Sequence, residues 1–301
     1  MAHPIEAWIR PARSRRHAPM PPVETMSSVR RIVRATARIV LGARLSDRAA
    51  DMLARLRERR LRAATGQPNG NVAPMDLPAI DRRGDFTQSP LTMALQQASR
   101  IAAGETRLPA ALRDVPGMSG RKYRALINSL IDGLPDARYL EIGSWAGSTA
   151  TAALYRNRVA AVCIDNWSQF GGPRDDFRRN TGRALDEHNS LRLVEADFRR
   201  VDYRSLGSFN VFLFDGPHGE ADQYDGLALA DPALDRHFIL IVDDWNWRAV
   251  RIGTFRAMRD RGWTVAAAIE IRSTLDNTQP ASNGAASDWH NGYFIAAIDK
   301  G

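Results

Sequence analysis

From residue 138 onward the chain alternates short apolar runs with longer stretches of helical period. The runs lie at 138–142, 159–164, 191–195, 210–214 and 237–242, and the helical stretches at 147–157, 173–188, 220–231 and 247–261. The run at 159–164, Val-Ala-Ala-Val-Cys-Ile, has no polar position at all. Strands that are apolar throughout and separated by helices predict a parallel sheet covered on both faces. Two further runs, 263–271 and 292–299, are separated only by the polar loop 273–289, which predicts an antiparallel pair at the sheet edge. Helices are expected at 90–104 and 119–133, the second capped by Ser119 and ending near Gly133 and Pro135. The fold class is therefore α/β: a Rossmann-like, doubly wound sheet of about seven strands, mostly parallel with an antiparallel edge, plus an N-terminal helical extension.

The pattern upstream differs. Residues 1–27 carry scattered Pro and Arg without periodicity and read as disordered. Residues 28–64 place Val29, Ile32, Val33 and Val40 on one face of a basic amphipathic helix, interrupted near Gly42. Gly, Pro, Asn and Asp then mark a linker. The predicted organisation is an arm over 1–65, a linker over 66–88 and an α/β domain over 89–301.

Charge sharpens this division. The net charge of +8 is not spread evenly: residues 1–62 hold 15 Arg and 5 acids, a net of +10, which leaves −2 for the remainder. The basic character belongs to the arm, which predicts weak contact with an anionic membrane surface. The acidic body and the lack of a nucleic-acid module argue against specific nucleic-acid binding. No apolar run is long enough to cross a membrane. The one cysteine, Cys163, sits in a predicted strand, which excludes a disulfide scaffold and fits a cytoplasmic location.

In a doubly wound sheet, ligands bind beyond the carboxyl ends of the strands, so the residues there carry the chemistry. After the first run stands Glu141-Ile-Gly143-Ser144-Trp-Ala-Gly147. Gly143 permits a sharp turn, and Gly147 is expected to let backbone approach a ligand where a helix starts. The glycines stand four positions apart, which disfavours the dinucleotide fingerprint. Asp165 follows the second run, where an acid can accept both hydroxyls of a ribose. Asp197-Phe198 follows the third, Asp215 and His218 the fourth, Asp243-Asp244 the fifth. Trp145, Trp167, Trp245 and Trp247 also follow strands and suggest an aromatic wall.

This ordered set resembles class I S-adenosylmethionine-dependent methyltransferases. The resemblance implies that Glu141, Gly143, Ser144, Gly147, Asp165, Asp197 and Phe198 bind S-adenosylmethionine. The acids after the fourth and fifth strands are similar to those of metal-dependent O-methyltransferases of the catechol and macrocin types. That implies a divalent ion, Mg²⁺, held by Asp215, Asp243 and Asp244. The lysine base associated with catechol-type enzymes has no counterpart, since Lys122 and Lys300 lie elsewhere. Asp215 and His218 are then the expected catalytic residues, with His218 the base. The expected reaction is methyl transfer to a hydroxyl of a small-molecule or glycan acceptor. The rival readings are a metal-independent methyltransferase and a nucleic-acid-associated protein with a ligand-sensing body.

Overall fold

The computed structural model describes residues 78–102, 104 and 106–301, so the arm predicted over 1–65 lies outside the described residues. The chain divides into two compact units, and the described residues all fall in the second, Gln67–Gly301.

That unit is one eight-stranded sheet with helices on both faces. Its strands are β1 (Ala79–Gly84), β2 (Ala137–Ile142), β3 (Val159–Ile164), β4 (Asn189–Val194), β5 (Phe209–Phe214), β6 (Leu234–Val242), β7 (Thr264–Arg272) and β8 (Tyr293–Asp299). The helices are α1 (Pro90–Ala102), α2 (Ala110–Arg113), α3 (Arg121–Asp132), α4 (Ser148–Leu154), α5 (Arg174–Gly182), α6 (Glu220–Ala230) and α7 (Arg248–Asp260). The spatial order is β1-β7-β8-β6-β5-β2-β3-β4. Strands β2 to β6 pair in parallel. Strand β8 runs against both β6 and β7, as expected for the two terminal runs.

Alternation along the strands divides the core in two. Tyr139, Val211, Ile239 and Ile269 face Leu95 of α1 and Leu126 of α3. Their neighbours Leu140, Phe212 and Leu240 face the other way, onto Leu227 of α6 and Ala257 of α7. Successive side chains of a strand point to opposite faces, so an unbroken apolar run serves both layers. Among the described residues no helix is long and apolar enough to cross a membrane.

The eighth strand corrects the linker reading. Residues 79–84 fall within the expected 66–88 linker, yet β1 pairs antiparallel with β7 from Ala79↔Arg272 to Gly84↔Ala267. Every residue of β1 is exposed, so no apolar alternation announces it. Backbone pairing and the buried Phe86 just beyond it hold the strand in place.

The chain reverses direction across the sheet between β2 and β5. From β2 it winds outward through β3 to β4, then returns to β5 on the other side of β2. That switch opens a crevice at the carboxyl ends of the central strands.

A chain beginning at Gln67 should therefore keep β1, and one beginning at Ser89 should lose it along with Phe86. Burial of one Phe contributes about 1.5–3 kcal/mol. The shorter chain should melt about 4 °C or more below the longer one and, with the β7 edge uncovered, scatter more light on heating. Equal melting temperatures would show that β1 contributes nothing.

Candidate active site

Four residues, one after each of four strands, are stitched into a row. Gly143 N–H donates to the Ile164 carbonyl at 2.9 Å, and Asp165 N–H to that of Val194 at 3.2 Å. Asp215 N–H donates to Ile142 at 2.9 Å, and Asp243 N–H to Phe214 at 3.2 Å. The ladder thus extends one step past the strands and sets the first residue of each loop at a common level. Gly143 adopts φ +86°, and a Cβ there would lie 1.9 Å from the carbonyl oxygen of Asp215. Only glycine lets the first and fourth loops approach this closely.

Above the row lies a cavity of about 260 Å³. It is lined by Gly143, Asp165, Asp197, Phe198, Asp215 and His218, among others. Both oxygens of Asp165 accept backbone N–H groups, Oδ2 from Trp145 at 2.8 Å and Oδ1 from Trp167 at 2.7 Å. Each oxygen keeps a second lone pair for a ligand. Asp197 accepts the Arg199 N–H at 2.9 Å, which fixes the short helical turn that carries Phe198. Met118, Gln169 and Phe170 also line the cavity, and no strand-end pattern pointed to them.

Three expected cofactor residues do not reach this cavity. Glu141 is fully buried: Thr149 Oγ1 donates to its Oε1 at 2.8 Å, and the Tyr139 hydroxyl donates to Oε2. It ties β2 to the start of α4. Ser144 is buried and absent from the lining. Gly147, at φ +79°, is absent from the lining and sits against α5, where a Cβ would lie 2.8 Å from the Phe177 ring. The aromatic wall is also smaller than expected. Trp145 lines the cavity, whereas Trp245 is wholly buried and stacks on Phe294, and Trp167 packs edge-on against Phe177. Trp247 meets the His218 ring edge-on with centroids 4.9 Å apart.

The acidic end departs from the expected ligand set. Donor atoms of Asp215, His218 and Asp244 all lie within 4.8 Å of one another. Asp243, expected as the third ligand, is outside this group: it is buried and accepts the N–H of Asp244 at 2.6 Å. The turn after β6 puts Asp244 at φ +56° and swings its side chain toward His218. His218 Nε2 and Asp244 Oδ2 are 2.8 Å apart, and Asn291 Nδ2 donates to Asp244 Oδ1 at 2.7 Å. Nor do the two acids cap α7, whose N-cap is Trp247.

Environment separates these carboxyls. Burial, then repulsion from neighbouring carboxylates, pushes Asp215 and Asp243 well above the usual range. Asp244 is also desolvated, but hydrogen bonds from His218 and Asn291 outweigh burial and hold it low. Burial pushes Glu141 up to about 7 despite its hydroxyl donors.

The Glu141 shift has a measurable consequence. Below about pH 4.5 the folded and unfolded chains both keep the proton. Between 4.5 and about 7 the unfolded chain releases it while the folded chain holds it. Stability therefore falls as pH rises through this window and levels off above it. Glu141→Gln removes this contribution, whereas those of Asp215 and Asp243 remain in both proteins. Relative to wild type, the variant should gain on the order of 2–3 kcal/mol between pH 4.5 and 7 in denaturant titrations. A constant difference across the window would show that Glu141 is ionised in the fold.

Comparison with known proteins completes the picture. A family model described as a methyltransferase domain matches residues 140–245, from within β2 to just past β6. No curated protein is similar enough to count as a match. Among solved structures, TrmN from Thermus thermophilus is similar at TM-score 0.42 and 15% identity, over 63% of this chain and 51% of that one. This chain thus spans about half the length of that structure. TomG, a tomaymycin-synthesis O-methyltransferase from Streptomyces achromogenes in complex with SAM, is similar at TM-score 0.42 and 14% identity, over 70% and 90% of the two chains. An O-methyltransferase from Bacillus cereus in complex with SAH is similar at TM-score 0.41 and 15% identity, over 69% and 91%. Residues 140–245 thus match a methyltransferase-domain model, in keeping with the class I resemblance of the strand-end residues.

Proposed function

We propose that this protein transfers a methyl group from S-adenosylmethionine to a hydroxyl of a small-molecule or glycan acceptor, with His218 removing the hydroxyl proton. One observation carries this reading: a single cavity joins strand ends suited to a nucleoside with a histidine oriented by a carboxylate.

The residues present suit the cofactor. Asp165 retains lone pairs for the two ribose hydroxyls, and Phe198 offers an apolar face beside Asp197 for the adenine. When bound, S-adenosylmethionine supplies an already activated methyl group. The protein's task is then to place the acceptor oxygen and take its proton. Asp244, held low in pKa, keeps a negative charge beside His218 and stabilises the imidazolium that forms. Trp247 packs against the imidazole and limits its rotation.

A second reading is favoured by the clustering of Asp215, His218 and Asp244. These three would hold a divalent cation, which would lower the pKa of an acceptor hydroxyl. Two oxygens and a nitrogen suit a borderline ion such as Zn²⁺ better than the Mg²⁺ expected from the sequence. The readings use the histidine differently, since its Nε2 cannot both donate to Asp244 and coordinate an ion.

The test is a panel of hydroxyl acceptors assayed with and without chelator, for wild type, His218→Ala and Asp215→Asn. In the first reading wild type is fully active in chelator. His218→Ala then loses about 100-fold or more in kcat, recovers in part at high pH, and keeps its cofactor affinity by calorimetry. Activity lost in chelator and restored by a divalent ion supports the second. Wild type that does not bind S-adenosylmethionine overturns both.

A further inference from the structure

Asn291 opens the stretch leading into β8 and is almost wholly buried beside the site. We infer that Asn291, itself oriented by Asn246, is a positioning residue: it turns the Asp244 carboxylate so that His218 carries its proton on Nε2 and keeps Nδ1 free to accept one. This rests on the reading of His218 as the base.

The relay begins at donors whose identity cannot be reversed. Backbone N–H groups of Ser273 and Thr274 point at Asn246 at 3.0 and 3.2 Å, so the atom facing them is the amide oxygen. The Asn246 amide nitrogen then faces the Asn291 Oδ1 at 2.9 Å, with the Ser273 hydroxyl also at 2.9 Å and the Thr278 carbonyl at 3.4 Å. Because Asn291 must accept from Asn246, its own nitrogen is the group left to face Asp244 Oδ1, at 2.7 Å. Asp244 Oδ2 remains for His218 Nε2, and a carboxylate can only accept. The polarity of every link is fixed from the backbone end, without assuming an amide orientation.

Two features hold the relay in place. Asn246 N–H donates to the Asn291 carbonyl at 2.9 Å and Trp245 N–H to that of Gly292 at 3.1 Å, so the two asparagines are clamped through their main chains as well. His290 presents a second N–H on the Oδ1 side, beyond hydrogen-bond distance. Its Nδ1 accepts the Gly284 N–H at 2.8 Å, which leaves the proton on Nε2, 3.9 Å from Asp244 Oδ1. Asp244 Oδ1 thus accepts from Asn291 with the His290 N–H facing the same side, and its remaining oxygen can orient only a proton-bearing nitrogen of His218.

The experiment is long-range ¹H–¹⁵N correlation NMR on histidine-labelled full-length protein, with His218→Ala identifying the resonance. Wild type should show His218 as the Nε2–H tautomer near pH 8. Asn291→Asp keeps the acceptor that Asn246 needs but sets a carboxylate against Asp244, so the single tautomer should be lost. The swap Asn291→Asp with Asp244→Asn restores a donor facing an acceptor and leaves an amide oxygen for His218, so the Nε2–H form should return. Should Asn291→Asp not fold, Asn291→Ser, which keeps the backbone pairing and drops the amide, replaces it. In turnover, Asn291→Ser should lose about tenfold or more in kcat with the KM for S-adenosylmethionine unchanged. An Nδ1–H tautomer in wild type, a tautomer unchanged in the single variants, or a swap that fails to restore it overturns the proposal. These NMR outcomes do not depend on which acceptor is methylated. Failure of the activity reading therefore shows separately, as an Nε2–H tautomer without hydroxyl methylation.

Discussion

Everything at this site depends on four backbone hydrogen bonds that continue the sheet one residue past its strands. They are weak individually, each contributing about 1 kcal/mol net. Their value is geometric. They place Gly143, Asp165, Asp215 and Asp243 in one row and turn four separate loops into a single floor. The bare Cα of Gly143 lets that floor close at the switch point, where the carbonyl of Asp215 occupies the space of a side chain. Catalytic groups built on such a floor inherit the rigidity of the sheet rather than the mobility of loops.

Charge is then sorted by depth. Glu141 lies in the strand beneath the floor and Asp243 is buried within it, and burial favours their protonated forms. Asp244, one residue further along, leaves the row through a left-handed turn and gains enough donors to stay ionised. Two adjacent aspartates thus serve different ends. One contributes to the packing of the floor, and the other holds a charge next to an imidazole. Local backbone geometry, not residue type, makes the difference.

The sheet is legible in the sequence because parallel strands buried on both faces leave long apolar runs, and the five central strands lie where those runs fall. Strand β1 is not legible, since an exposed edge strand such as Ala79–Gly84 has no apolar period to betray it. The acids after each strand are found by inspecting the residues just past each carboxyl end. The same rule explains two misplacements. It credits Glu141 and Gly147 with ligand contact because they flank the first loop, whereas the Glu141 carboxyl bonds Thr149 and the space a Gly147 Cβ would need is taken by Phe177. It also passes over Asn291, because β8 runs antiparallel: at this edge of the sheet the informative residues precede the strand. Reading the residues before the reversed strand recovers Asn291.

Asn246 also bears on how this protein could be re-engineered. Its side chain is bonded to Ser273, Thr274 and Thr278 on one side of the β7–β8 loop and to Asn291 on the other. The loop is therefore an insert between two fixed anchors. Sequence exchanged between Thr278 and Gly284 leaves both anchors and the His290 contact intact, while an exchange reaching either end would detach the loop from the floor. Substitution in this loop thus has a natural window of a few residues, and its boundaries are set by one buried amide.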